Sequence, residues 1–182
     1  TRTWGTCDIR ARAKVRHWIK LQDRDINIAA GRAALERELH RLGLAAPRPL
    51  AALTRRRGLF YGGSLLTERI PGARAVADLM AERAEDDGFW ARVGAGIRRF
   101  HDHGVVHADL NARNILVDET DTVFLIDFDR ARLAPGGSAR FAANLKRLRR
   151  SFDKLWPESE HARLEACWKC LEQGYVAAKR KA

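Results

Sequence analysis

Two short apolar runs near the middle of the chain are separated by a polar segment that favours a turn. The runs are Asn114–Val117 and Val123–Ile126, and Asp118–Thr122 between them is rich in Asp and Thr. Apolar runs of this length bounded by turn residues are typical of a β-hairpin. The pattern therefore predicts a hairpin that brings its two outer ends together.

Apolar residues recur at helical spacing in several other segments. Helices are predicted over residues 30–42, 75–84, 89–103, 144–156 and about 158–178. Residues 49–53 and 59–70 have the pattern of strands, with Arg55–Gly58 as a basic turn between them, and Pro71-Gly72 ends this strand region. The sequence of elements predicts an α+β fold.

Polar residues at the ends of the central hairpin have the spacing of a phosphoryl-transfer site. His107 and Asp109 precede the first strand, Asn114 follows Asp109 by five positions, and Asp127 closes the second strand. This is the H-x-D-x-x-x-x-N arrangement of a kinase catalytic loop, followed by a metal-binding Asp. Asp109 would accept or orient the proton of the attacking hydroxyl, while Asn114 and Asp127 would supply oxygen ligands to Mg²⁺. The alternative is a surface hairpin with ordinary turn residues.

The kinase interpretation divides the chain into two lobes. Residues 1–70 are predicted to form a partial nucleotide lobe and residues 71–182 a compact helical catalytic lobe. Residues 1–28 contain a single glycine and no Gly-rich phosphate loop, and the only methionine of the chain is Met80. We therefore expect the N-terminal lobe to be truncated and the chain to be an N-terminally incomplete product.

Candidate ATP-binding residues lie in the first of these lobes. The helix over residues 30–42 would carry a Glu that pairs with a phosphate-binding Lys, and Glu38 is the candidate, with Glu36 in reserve. An exposed Glu–Arg pair along the helix is the alternative for either residue. Glu68 and Ile70 lie where the linker between the lobes would run, and its backbone groups could hydrogen-bond an adenine edge.

The charge balance points to an anionic partner. The net charge is +11, which suits a nucleotide, a nucleic acid or a lipid surface without choosing among them. The predicted helix over residues 144–156 has an apolar stripe, and its other side carries the cations Lys146, Arg147, Arg149, Arg150 and Lys154. Such a helix could lie against an anionic membrane, or it could be an ordinary surface helix whose stripe packs on the domain.

Other composition features exclude several classes of protein. A hydrophobic fraction of 46% is ordinary for a folded chain, and no apolar run has the length of a transmembrane helix. Three cysteines provide no disulfide framework, which fits a reducing compartment, and Cys167 and Cys170 are expected to be core residues rather than zinc ligands. His101 and His103 are spaced unfavourably for a metal pair on a helix.

The segment after the hairpin argues against a regulated protein kinase. No Ala-Pro-Glu motif follows Asp127-Phe128, and Asp129 stands where protein kinases have Gly. These features favour a compact kinase that acts on a small molecule or a lipid-linked acceptor.

The sequence motifs of the catalytic loop resemble those of one group of such kinases. The stretches His107–Leu116 and Leu125–Arg130 are similar to 3-deoxy-D-manno-octulosonic acid (Kdo) kinases of the lipopolysaccharide kinase family. Supporting similarities are Pro47-Arg-Pro49, Gly58–Tyr61, Leu66–Pro71, Arg74 and Asn144-Leu-Lys-Arg-Leu148. The resemblance covers roughly residues 33–156.

The resemblance implies a protein-kinase-like two-lobed fold that transfers the γ-phosphate of ATP to a Kdo hydroxyl on a lipid A precursor. It implies ATP and Mg²⁺ as cofactors, and a peripheral position at the cytoplasmic face of the Gram-negative inner membrane. His107 would brace the catalytic loop, and Glu38 would be the helix Glu. Lys14, Arg16 and Lys20 are candidates for the phosphate-binding basic residue.

Three alternatives stay open on the sequence. A related small kinase could act on heptose or on a protein. A chain that lacks part of its N-terminal lobe could be an inactive nucleotide- or lipid-binding module. A nucleic-acid partner rests on charge alone and is not expected, because no strand motif carries base-stacking aromatic residues.

Overall fold

The computed structural model describes residues 28–57, 60–128, 131–134 and 137–179. The described chain begins with helix α1, Ile28–Arg41, followed by strands β1, Pro49–Arg57, and β2, Phe60–Thr67. Helix α1 ends in a Schellman motif, because the Gly43 N–H donates to the His40 carbonyl and the Leu44 N–H donates to the Leu39 carbonyl. Gly43 has φ 68°, the left-handed conformation for which glycine is best suited.

The β1–β2 hairpin differs from the prediction at both of its ends. The arginines that were expected in a turn belong to β1, where Arg55 pairs with Gly62 and Arg57 with Phe60. The ladder continues to a short connection because antiparallel strands can be joined by very few residues. Strand β2 ends at Thr67, so Glu68 and Ile70 lie outside the sheet.

The next segment is less helical than the periodicity predicts. A short strand, β3, Arg74–Ala75, precedes a single helical turn, α2, Val76–Leu79, whereas a helix was predicted over residues 75–84. Helix α3, Asp87–Asp102, then begins where the Asp86 carboxylate caps the Phe89 N–H at 2.8 Å. This cap determines the start of α3, and residues 80–84 are turns that reach it.

The predicted central hairpin is confirmed. Strands β4, Val105–Val106, β5, Ile115–Val117, and β6, Val123–Leu125, follow α3. β5 and β6 pair in antiparallel register, and β3 pairs with the other edge of β5 to give the order β3-β5-β6. The Asp118 carboxylate accepts from the N–H groups of Thr120 and Thr122, both at 2.9 Å, which closes the turn.

Two long helices complete the described chain. Strand β7, Arg132–Leu133, pairs with β4, and it is followed by α4, Ser138–Leu155, a short 3₁₀ turn over Glu158–Glu160, and α5, His161–Ala177. α4 begins at Ser138 rather than at residue 144. No helix in the described ranges combines the length and apolarity needed to cross a bilayer.

Glycines determine how closely α3 and α5 approach. A Cβ atom built on Gly94 would lie 1.9 Å from the Leu171 carbonyl oxygen, and one on Gly174 would lie 2.0 Å from the Ala91 carbonyl oxygen. These separations are far below a van der Waals contact. The two helices can therefore cross only because both positions lack a side chain.

One apolar core joins α1 to the catalytic segment. Leu39, Leu44 and Ala46 belong to the same buried cluster as the residues of β5, β6 and the long helices. The Leu125 N–H donates to the Ala45 carbonyl at 3.1 Å, so the segment after α1 also bonds to β6. The mixed helix–strand class is thus confirmed, while the division at residue 70 and the truncation of the first lobe stay predictions.

Candidate active site

The predicted catalytic loop lies directly before β5, and Asp109 is exposed at its surface. The Asn111 side chain holds the loop: its Nδ2 donates to the Asp109 carbonyl at 3.1 Å and to Asp109 Oδ2 at 3.2 Å. Its Oδ1 accepts from the N–H groups of Arg113 and Asn114 at 2.9 and 3.2 Å. Asn111 therefore orients one carboxylate oxygen of Asp109 and leaves the group open to an acceptor.

His107 is buried and connects the catalytic loop to the end of β6. The Asp109 N–H donates to His107 Nδ1 at 3.2 Å, so the ring proton is on Nε2, which donates to the Ile126 carbonyl at 2.8 Å. The imidazole is consequently neutral and bonded at both nitrogens. It ties the residue before Asp127 to the backbone of Asp109.

The candidate metal ligands lie at the open end of the hairpin. Asn114 precedes β5, and its carbonyl accepts from the Ile126 N–H at 3.0 Å, which places Asp127 one residue beyond this pair. Asn114 Nδ2 donates to the Asp109 carbonyl at 2.9 Å, so its Oδ1 is the atom left to face a cation. Asp127 has φ 64°, a conformation that Asp tolerates better than most residues and that recurs at functional sites.

This pair of oxygen ligands suits Mg²⁺ in a kinase. Mg²⁺ usually keeps several waters and takes one or two protein oxygens together with substrate phosphates. No cluster of three or more His, Cys, Asp or Glu that could hold a metal occurs in the described ranges. Asn114 and Asp127 together offer the one or two protein oxygens that such a cation takes.

Helix α4 supports the loop from the other side. Asn144 is buried, its Oδ1 accepts from the His107 N–H at 3.0 Å, and its Nδ2 donates to the His107 carbonyl at 2.7 Å. One further contact comes from Ser151 Oγ, which accepts from the Ala112 N–H at 3.0 Å. Sequence reasoning used Asn144 as a family similarity but missed this role. The available signal was an amide on the apolar stripe of a helix, in line with Leu148 and Phe152.

Arg147 of α4 approaches the candidate base. Its Nη1 lies 3.6 Å from Asp109 Oδ1, and both side chains are exposed.

The basic side of α4 was predicted as a possible membrane face, and the cations on it differ in their exposure in the structure. Lys146, Arg150 and Lys154 are exposed, whereas Arg149 is half-buried and pairs with Asp153 and Glu165. Leu155 is exposed, whereas Trp156 next to it is buried.

The two candidate glutamates of α1 face in different directions. Glu38 is 35% exposed and forms hydrogen bonds with Arg41 one turn later, which lower the pKa of its carboxyl. Glu36 is 1% exposed and lies in line with the buried Ala33 and Leu39. The Glu38–Arg41 pair is thus the exposed Glu–Arg pair that was the alternative for Glu38. Of the two glutamates, Glu36 is the one whose side chain is buried.

The remaining candidates of the nucleotide side are only partly described. Glu68 is exposed and pairs with Arg48, with its Oε2 3.2 Å from Arg48 Nε, while its N–H donates to the Arg48 carbonyl at 2.8 Å. Ile70 is half-buried just before the turn at Pro71-Gly72. Lys20, like Lys14 and Arg16, lies outside the described residues.

Cys167 is a core residue, as predicted, whereas His101, which was expected to be a polar residue at the helix end, is buried. His101 is buried, stacks on Phe141 with ring centroids 4.5 Å apart, and shares a 2.7 Å hydrogen bond between its Nδ1 and the Tyr175 hydroxyl. Burial lowers the pKa of His101 to about 4. Cys167 is buried in the core, and burial raises the pKa of its thiol to about 11. Neither group is poised for metal binding or nucleophilic chemistry.

Comparison with known proteins gives a consistent match. The model of the lipopolysaccharide kinase (Kdo/WaaP) family matches residues 22–175. A protein named 3-deoxy-D-manno-octulosonic acid kinase from Vibrio parahaemolyticus serotype O3:K6 is 39% identical over 137 residues, covering 71% of this chain and 57% of the relative. Proteins of the same name from Photobacterium profundum and from Stenotrophomonas maltophilia strain R551-3 are 42% and 43% identical. Those alignments cover 73% and 79% of this chain and 56% and 57% of the relatives.

The chain spans about half the length of the curated relatives it matches. The match nevertheless extends across α1, the β1–β2 hairpin, the catalytic loop, the central β5–β6 hairpin, α4 and most of α5. The matched range includes the candidate site residues His107, Asp109, Asn114 and Asp127. The chain belongs to the lipopolysaccharide kinase (Kdo/WaaP) family.

Proposed function

We propose that this protein transfers the γ-phosphate of ATP to a hydroxyl of Kdo on a lipid A precursor. The observation that carries the proposal is the braced loop that presents Asp109 beside Asn114 and Asp127. Family membership and the shared name of the relatives support Kdo as the acceptor.

In the proposed reaction the acceptor hydroxyl oxygen forms a bond to the γ-phosphorus. The bond from the γ-phosphorus to the oxygen that bridges it to the β-phosphorus breaks, ADP leaves, and Asp109 takes the hydroxyl proton. His107 and Asn111 keep the Asp109 carboxylate in place through the contacts described above. The protein contributes mainly position and charge, which is the usual division of labour in phosphoryl transfer.

Asn114 and Asp127 would hold Mg²⁺. When bound, the ion neutralises the negative charge of the nucleotide phosphates. The left-handed backbone of Asp127 turns this residue out of the β6 strand at the point where the hairpin opens. We assign Glu36, with Glu38 as the alternative, to the phosphate-binding pair, and the backbone around Glu68 and Ile70 to adenine; Lys20 is the proposed basic partner.

An anionic membrane surface is the proposed setting, at the cytoplasmic face of the inner membrane. The exposed cations Lys146, Arg150 and Lys154 of α4 would attract anionic head groups, each contributing about 1 kcal/mol near the surface. Sedimentation with phosphatidylglycerol vesicles at low and high salt tests this. Binding that is unchanged by salt, or by charge reversal at these three positions, would contradict it.

The central test is phosphorylation of Kdo-lipid A by the purified chain with Mg-ATP. Asp109→Asn should lower kcat by about 10²–10⁴-fold, since it removes a proton acceptor and keeps the shape of the side chain. Asp127→Asn tolerates the same backbone conformation but weakens the cation ligand, so it should raise the Mg²⁺ concentration needed for half-maximal activity. Equal activity of wild type and Asp109→Asn would refute the assigned mechanism.

The alternatives separate in the same preparation. Activity on a heptose-containing or protein acceptor, with none on Kdo-lipid A, would identify a related kinase. Thermal stabilisation by Mg-ATP without turnover would identify a binding module, because a ligand that binds the folded state raises its stability.

A further inference from the structure

Arg147 occupies a position on α4 that structural support of the loop does not explain. Asn144, Arg147 and Ser151 are spaced by three and four residues, so they share the helix face that contacts the catalytic loop. Asn144 and Ser151 already hold that loop by three hydrogen bonds. Among the described residues Arg147 has no hydrogen bond to the loop, because its Nη1 is 3.6 Å from Asp109 Oδ1, beyond hydrogen-bonding distance.

The Arg147–Asp109 pair is also a weak source of stability. The Arg147 side chain is 48% exposed and that of Asp109 is 62% exposed. Exposed ion pairs of this kind contribute about 0–1 kcal/mol. The guanidinium has five N–H donors in a planar fork that matches a carboxylate. An anion that enters the site next to the candidate base would meet this fork.

An acidic acceptor faces an electrostatic difficulty at Asp109. Its hydroxyl must reach a carboxylate, while its own carboxylate is repelled by that same group. A cation between the two negative charges removes this repulsion. A hydroxyl on Asp109 and a carboxylate on Arg147, each at hydrogen-bonding distance, would lie about 4–6 Å apart, which is within one sugar ring.

We propose that Arg147 binds the carboxylate of the acceptor sugar and thereby directs the neighbouring hydroxyl to Asp109. This rests on the proposed function, and it adds an acceptor-recognition residue to it. The ligand class is a sugar acid, in keeping with the octulosonic acid that the relatives are named for. The nucleotide phosphates are assigned instead to the cation site at Asn114 and Asp127.

The test compares two acceptors in three proteins. The acceptors are Kdo-lipid A and its methyl ester at the Kdo carboxyl, and the proteins are wild type, Arg147→Gln and Arg147→Lys. Arg147→Gln should raise the KM for the acid about 10- to 100-fold, while kcat and the KM for ATP change less than about twofold. With wild type, the KM for the ester should exceed the KM for the acid by the same 10- to 100-fold factor. With Arg147→Gln, the KM values for acid and ester should be equal. Arg147→Lys should recover part of the preference.

Arg163→Gln is the matched control. Arg163 is 44% exposed on α5 and pairs with Glu85 and Glu160, so the substitution removes the same charge from a similar surface setting. It should leave the preference for the acid intact. Circular dichroism of all variants checks that they are folded.

Two results would overturn the proposal. A fall in kcat for Arg147→Gln that is equal on acid and ester would mean that Arg147 acts on the transferred phosphoryl group. Unchanged KM values would remove any role in recognition. If wild type phosphorylates neither acceptor, the proposed function fails. Thermal-shift binding of the acid and the ester to wild type and Arg147→Gln still decides the role of Arg147, because binding does not require turnover.

Discussion

Replacing Asn144 with leucine tests how α4 holds the catalytic loop. The amide is 6% exposed and satisfies both backbone groups of His107, with its Oδ1 3.0 Å from the N–H nitrogen and its Nδ2 2.7 Å from the carbonyl oxygen. Leucine has nearly the same size and branching but offers neither a donor nor an acceptor. The substitution therefore leaves two buried backbone groups without their partner.

Each buried polar group that loses its hydrogen bond costs about 1–3 kcal/mol, and the added apolar surface of leucine offsets a part of this. We expect Asn144→Leu to lower the free energy of unfolding by about 2–4 kcal/mol, a large fraction of the 5–15 kcal/mol typical of a domain. The backbone of His107 also sets the ring that braces Asp109, so kcat should fall about tenfold or more, with a smaller change in the KM for ATP.

Urea denaturation followed by tryptophan fluorescence measures the first effect, and Trp90 and Trp156 in the core report on it. The midpoint should shift while the slope of the transition stays the same. Asn144→Asp should also destabilise the protein, because it retains the acceptor for the N–H but sets a carboxylate against the carbonyl. Lys146→Ala, an exposed change on the same helix, should alter the free energy by less than about 0.5 kcal/mol.

An Asn144→Leu protein with the wild-type midpoint would refute the assignment of these hydrogen bonds as stabilising. Loss of stability with an unchanged kcat, measured well below the midpoint, would show that the bracing of the loop does not reach Asp109.

Three further predictions concern the helical part of the fold. The pKa of His101 is lowered from 6.5 to about 4. Between these pH values the unfolded chain binds a proton that the folded protein does not. Stability should therefore fall by up to about 3 kcal/mol as the pH drops through this window. His101→Gln should reduce the pH dependence of the urea midpoint, and an unchanged dependence would contradict this. Gly174→Ala should lower the midpoint sharply, since its Cβ would meet a backbone carbonyl of α3 at 2.0 Å. Gly88→Ala, which meets a flexible arginine side chain at 3.0 Å, should have little effect. Cys167 should react with a maleimide at pH 8 more slowly than the half-buried Cys170 until urea unfolds the protein, because burial raises its pKa to about 11; equal rates in the native protein would contradict its burial.

Local patterns were sufficient for the hairpin and for the spacing of the site. The runs around residues 115 and 123 are short, apolar and separated by a turn whose closing contacts come from Asp118 itself, so neighbours in sequence determine the structure. The four polar residues lie at its ends because strand pairing returns the chain to its starting side. Helices α3 and α5 were predictable for the same reason, since their apolar stripes are local.

Contacts between distant segments decided the rest. Which glutamate of α1 is buried depends on what the helix packs against, and Glu36, the reserve candidate, is the one in line with the buried Ala33 and Leu39. The helix predicted over residues 75–84 begins only at Val76, because Arg74 and Ala75 pair with β5, a partner some 40 residues away.

The same holds for the residues that α4 brings to the loop. Asn144 and His107 are 37 positions apart in the chain, and periodicity shows that Asn144 is on a buried face without showing what that face meets. Composition likewise placed Arg147 among five similar cations of one helix. The sequence alone thus determined the central hairpin and the family of the chain, because both depend on residue identity and short spacing. The tertiary structure alone decided the burial of Glu36 and the contacts of Asn144 and Arg147, because their surroundings are formed by segments that meet only in the folded chain.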